Sequence, residues 1–180
     1  RDRSPSRGLG DVYKRQHYAA ALYALVGLED EDQFNEMLDA WRHDVLGEVN
    51  VGQGIGLKRY GYQPSVIRES DGNHSGPIVA GYRLRTSDTP FDYRIQVYEK
   101  GAFILHMLRM LLLDLETGSD ERFRSLMRTF AENHRGGVAN TRSFEAAVNS
   151  AFNEPMDWFF DQWVYGTHVP TYRPDLTTSP

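Results

Sequence analysis

Residues Val97 to Leu115 read VYEKGAFILHMLRMLLLDL, and this run constrains the fold more than any other stretch. From Ala102 to Leu115 eleven positions are apolar, and only His106, Arg109 and Asp114 interrupt them. No glycine or proline falls in that interval, so nothing in the backbone breaks a helix there. A helix that is apolar on nearly every side must be covered on nearly every side. The run falls short of the roughly 20 apolar residues that a membrane span needs. It is therefore expected to be the central helix of a water-facing domain, with Tyr98, Glu99 and Lys100 at its polar mouth.

A central helix needs others around it, and the sequence supplies them. His17 to Gly27 is alanine-rich and helical in character, with Gly27 as its expected C-cap. From Glu29 to Leu46, the residues Phe34, Met37, Leu38, Trp41, Val45 and Leu46 recur at three- and four-residue steps, which predicts an amphipathic helix. Acidic residues crowd its start, where the helix dipole favours them. Gly118 is expected to close the central helix, and Ser119 or Asp120 to cap the next. That helix carries Phe123, Leu126, Met127 and Phe130 and ends at Gly136-Gly137. Thr141 is expected to cap a fourth, with Phe144, Ala147, Val148, Ala151 and Phe152 at helical spacing. Pro155 suits the first turn of a fifth, Met156 to Tyr165, ended by Gly166. Trp158, Phe159, Phe160 and Trp163 are read as its core-packing residues.

Val49 to Pro90 is different. Seven glycines between Gly52 and Gly81 break any long period, so loops and a few short extended pieces such as Ile78 to Leu84 are expected. The spacing at Gly52, Gly54 and Gly56 lacks the strand and the offset of a dinucleotide fingerprint. The fold class is mainly α with one irregular glycine-rich insert.

Composition narrows the function. There is no cysteine, so neither disulfides nor thiolate metal sites arise. The net charge of -5 gives no basic footprint for nucleic acid. Carboxylate pairs such as Asp30/Glu31 and Asp120/Glu121 sit at helix starts, where capping and dipole complementarity account for them. None of the six histidines lies four residues from another, and no His-Glu-x-x-His occurs. His106, on the buried helix, is read as a satisfied core histidine.

Two segments carry a resemblance. Tyr98-Glu99-Lys100-Gly101 followed by a long apolar helix is similar to the aminopeptidase N (alanyl aminopeptidase) family of gluzincin zinc metallopeptidases. Asp157 to Gly166, DWFFDQWVYG, resembles the same family's Trp-Phe-Phe-x-Gln-Trp segment. The two occur in order at plausible spacing, and the resemblance spans about His17 to Tyr172. Gly76-Pro77-Ile78 also resembles a loop of bacterial members. The resemblance implies the helical lobe of a thermolysin-like zinc peptidase domain that removes N-terminal residues from peptides. In that chemistry a zinc ion held by His-Glu-x-x-His and a downstream Glu lowers the pKa of its bound water to about 7. The resulting oxyanion needs a preorganised donor. The resemblance assigns that role to Tyr98, with Tyr93 as a weaker second active-site tyrosine. An ordinary phenol, with a pKa of about 10, holds its proton near neutrality. Glu99 and Lys100 are expected to be a solvated pair or loop anchors.

Ser6 to Gln16 reads SRGLGDVYKRQ, which back-translates to a transposon-based sequencing-library adapter. Residues 1–16 are accordingly set aside from the fold. Five of the chain's 20 Lys and Arg and two of its 25 Asp and Glu lie there, so the rest carries 15 basic and 23 acidic residues, a net of -8. The expected division is an adapter-derived tail at 1–16, a truncated helical part of a peptidase catalytic domain at 17–172, and a C-terminal tail at 173–180. Tyr18 fits the end of the family's pattern after the third zinc ligand, which places that Glu just upstream of His17. Zinc and a peptide substrate therefore belong to the parent protein. The chain itself is expected to hold no zinc and to be inactive, and its natural partner is the missing N-terminal half of the domain. Its loss is expected to leave apolar surface uncovered. A non-catalytic scaffold of the same fold, or an unrelated helical interaction domain, stands as the alternative.

Overall fold

The computed structural model describes residues 17–46, 76–87 and 92–167. The adapter-like stretch, the Gly52 to Gly56 spacing and the 173–180 tail lie outside the described residues. Those described form a mainly helical domain. Helix α1 begins at residues 17–22 and ends in a π-helical turn, Tyr23–Gly27. Helix α2 is Glu31–Leu46. A 3-10 segment, Ile78–Leu84, comes next. Helix α3 opens with a π-helical stretch, Arg94–Lys100, and continues as a regular α-helix, Gly101–Leu111. Helices α4, Glu121–Asn133, and α5, Thr141–Phe152, follow. Helix α6, Asp157–Phe160, finishes in a π-helical turn, Asp161–Tyr165.

The core is the one the apolar pattern anticipates. Ala102, Ile104, Leu105, Leu108 and Leu112 of the central helix are buried against Tyr18, Phe34, Trp41, Phe123, Leu126, Val148, Phe159, Phe160 and Trp163. In α2, Phe34, Trp41 and Val45 are buried and Met37 and Leu38 partly so. Its N-terminus is capped by Asp30, whose carboxylate accepts from the Gln33 N–H at 2.9 Å. Two polar ties span the core. The Tyr18 hydroxyl meets His106 Nδ1 at 3.1 Å, joining α1 to α3. The Asp120 carboxylate accepts from both Arg109 and Arg124 at 2.6 Å, joining α3 to α4. Burial works to raise the Asp120 carboxyl, and the two guanidinium partners overturn that and hold it low.

Several boundaries differ from the sequence reading. Regular α-helix in the centre stops at Leu111, not Leu115, because Asp114 gathers the Glu116 and Thr117 backbone and the Thr117 hydroxyl into a turn. Gly118 closes that turn at φ 68° rather than capping the helix. Asp120 occupies the cap position of α4 without a capping bond, since its carboxylate is engaged by the two arginines. Asn140, not Thr141, caps α5, in a reciprocal pair with Ser143. Ile78 to Leu84 is 3-10 helix kinked at Gly81, not extended. Gly27 lies inside the last turn of α1, and Leu28 follows as its cap. Pro155 precedes the α6 cap, Met156. Trp158 is 49% exposed while Phe159, Phe160 and Trp163 are buried, so the tryptophan leaves the aromatic cluster to its neighbours. Gly166 ends α6 as expected, and for a spatial reason: a Cβ there would stand 2.8 Å from the Asp161 carbonyl oxygen.

Exposed large apolar side chains occur in α1 at Tyr23 and Val26, and around the end of α3 at Met110, Leu111 and Leu115. Among the described residues no helix is long and apolar enough to cross a membrane.

Candidate functional site

The first residues of α3 are wound as a π-helix, and this decides where its tyrosines point. In a regular α-helix of 3.6 residues per turn, residues five apart stand about 140° apart around the axis. The wider i→i+5 turn brings them back onto one side. Two such pairs meet here. Tyr93 and Tyr98 stack edge to face with ring centroids 5.6 Å apart. Arg94 Nε donates to Glu99 Oε1 at 2.9 Å. Both site tyrosines named from the sequence are thus brought together, each half-buried.

The pair belongs to a longer row of rings. Tyr82 of the 3-10 segment meets Tyr93 at 5.2 Å. Beyond Tyr98 stands His17 of α1 at 5.5 Å, and beyond His17 stands Trp41 of α2 at 5.7 Å. Exposure falls along the row, from 56% at Tyr82 to 6% at Trp41. The His17–Trp41 pair is tilted at 33° and the other three contacts are edge to face, a geometry that suits the aromatic quadrupoles and fixes ring orientation. Burial, and then the nearby Arg94 charge, lower the His17 pKa, so its imidazole is neutral at neutral pH.

Under the tyrosines lies a buried polar face. Gln96, Glu99 and Lys100 are each at most 1% exposed. Glu99 and Lys100 are therefore not the solvated pair the sequence suggested. Glu99 pairs with Arg94, and Lys100 Nζ has no hydrogen-bond partner among the described residues; neither has the Gln96 amide. Buried polar groups are ordinarily paired, which makes this cluster unusual. Burial brings the Lys100 ammonium down to about 8.

The Glu99 carboxyl is pushed up to about 8, first by burial, then by the facing Asp44 carboxylate, with Arg94 opposing. An unfolded glutamate releases its proton near 4.5. The folded state keeps that proton longer, so the stability it contributes is full below 4.5 and lost as pH rises toward 8. His106 works the other way. Burial, and then Arg109, bring it from 6.5 to about 4, so its contribution is present above 6.5 and lost as pH falls. The two oppose each other at acid pH, and Glu99 acts without that opposition from about 6.5 to 8. Lys100 restores stability above 8, as an unfolded lysine keeps its proton to about 10.5. Urea midpoints followed by tryptophan fluorescence are expected to fall from pH 6.5 to 8 and recover above it. Glu99→Gln should flatten the fall; an unchanged slope in that variant would remove Glu99 as its source.

The residues that sequence reasoning missed are Arg94, Gln96, His17, Trp41 and Tyr82. An opposite-charge pair five apart carries no signal in an α-helix reading, where three- and four-residue spacings meet. Among the described residues no three His, Asp or Glu side chains converge to hold a metal. No family model, curated protein or solved structure matches the chain.

Proposed function

We propose that the chain is the helical part of the catalytic domain of a zinc aminopeptidase, in which the Tyr98 hydroxyl donates a hydrogen bond to the oxyanion formed as an N-terminal peptide bond is hydrolysed. The observation that carries this reading is the placement of Tyr98. Its ring is held from both sides, by Tyr93 and by His17, and remains half-buried. A donor fixed before the charge develops needs no reorganisation when it does. The resemblance puts the zinc ligands on the upstream side of His17, the ring that flanks Tyr98. Among the described residues no ligand set for the metal occurs.

What this chain's own residues contribute is orientation and a hydrogen-bond donor. The neutral imidazole and the tyrosine edges bound the phenol, and the buried helix beneath fixes its height. Peptide binding and the attacking water are assigned to the parent's remaining parts. Sequencing the genomic DNA upstream of the His17 codon tests the reading. A His-Glu-x-x-His followed by a Glu a few residues before His17 is the expected result. An intact frame without those ligands would leave a non-catalytic scaffold.

A further inference from the structure

We propose that the hydrogen bond from Arg94 to Glu99 is a positioning clasp that holds the i→i+5 winding of α3 and thereby sets the direction of Tyr98. The pair and the two tyrosines share one geometry. Arg94 and Glu99 follow Tyr93 and Tyr98 by one residue each, so whatever closes one five-residue span closes the other. A π turn is uncommon and persists where something outside the backbone favours it. A bond at 2.9 Å from a guanidinium to a carboxyl group only 1% exposed is suited to that role, since bonds from a charged donor are the stronger kind. The arginine is reachable, with 30% of its side chain exposed, while the acid is anchored in the core. Helix α2 packs on this π stretch and presents Asp44 to Glu99, and the 3-10 segment also packs on it. The clasp therefore sits where neighbouring elements converge on one turn.

Losing the clasp leaves the regular α-helix downstream, Gly101–Leu111, free to continue its own winding upstream. Tyr98 and Tyr93 would then diverge, and the ring row would break at its centre. The consequence for peptide hydrolysis rests on the reading of Tyr98 given above, but the clasp itself does not, and its test needs no activity.

The experiment compares the chain with its Arg94→Met and Glu99→Leu variants by NMR. The ring-to-ring NOE between Tyr93 and Tyr98 reports the clasp, with the His17 imidazole shift as a second probe and the Trp163 indole as a core control. Arg94→Met is expected to abolish the NOE and shift His17 while Trp163 stays in place. Glu99→Leu, apolar and of similar size and so tolerated by the core, is expected to reduce the NOE at least twofold, because it removes the acceptor of the Arg94 Nε–H. If Arg94→Met does not fold, Glu99→Leu decides alone. A folded variant with the NOE at full intensity overturns the proposal. In the parent enzyme the same variants should lower kcat with little change in KM; unchanged kcat alongside a lost NOE would count against the role of Tyr98 and not against the clasp.

Discussion

Replacing Tyr98 by phenylalanine in the full-length parent is expected to lower kcat about 100- to 1,000-fold with little change in KM, the usual cost of removing one oxyanion donor. The substitution keeps the ring, and so keeps the contacts to Tyr93 and His17 at 5.6 and 5.5 Å. Only the hydroxyl goes. A loss confined to turnover therefore reports a donor used in the transition state. An equal fall in stability would point instead to a packing role. Tyr93→Phe provides the contrast, with an expected effect well below that of Tyr98→Phe, since Tyr93 lies one place farther along the row toward the exposed Tyr82. Hydrolysis of an aminoacyl anilide measures both. Wild-type turnover in Tyr98→Phe would remove the tyrosine from the mechanism.

Phe159→Ala is expected to destabilise the fold by about 3–5 kcal/mol, the range for deleting a buried phenylalanine. Phe159 is 1% exposed and lies in the core beside Phe160, with ring centroids 5.9 Å apart. Helix α6 has only four residues of regular α-helix, so little backbone is available to collapse into the space left. For a chain of this length each kcal/mol moves Tm by about 2–4 °C, so a fall of about 10 °C is expected by thermal unfolding. Trp158→Ala serves as the control: at 49% exposed it should cost far less. Equal losses in the two variants would contradict the division of that cluster into buried and exposed rings.

The helices and most of the core were legible in the sequence because burial follows apolar periodicity. Leu105, Leu108, Phe123, Leu126, Val148 and Phe159 are buried in helices whose stripes announced them. Helix ends were less legible. Asp120 reads as a cap, and nothing local reveals that Arg109, eleven residues earlier, claims its carboxylate. The same holds at the site. Tyr98 and Tyr93 were named from a resemblance, and a regular helix would have set them on different sides. Glu99 and Lys100 look solvent-facing as charged neighbours at a helix mouth, yet α2 covers the turn that carries them. Burial of charge depends on which element lies across from it, and that is a property of tertiary packing.

The i→i+5 turn at Arg94–Lys100 has a bearing on how such a chain could change over time. A turn of this kind holds one more residue than its α-helical counterpart. Deleting one residue between Tyr93 and Tyr98 would restore a regular helix and leave the two rings four residues apart, which in an α-helix is again the same side. The facing of the tyrosines is thus compatible with two residue counts. A lineage could pass from one to the other through a single in-frame codon insertion or deletion with the rings still together, and a motif defined by spacing alone would register a loss where the geometry has none.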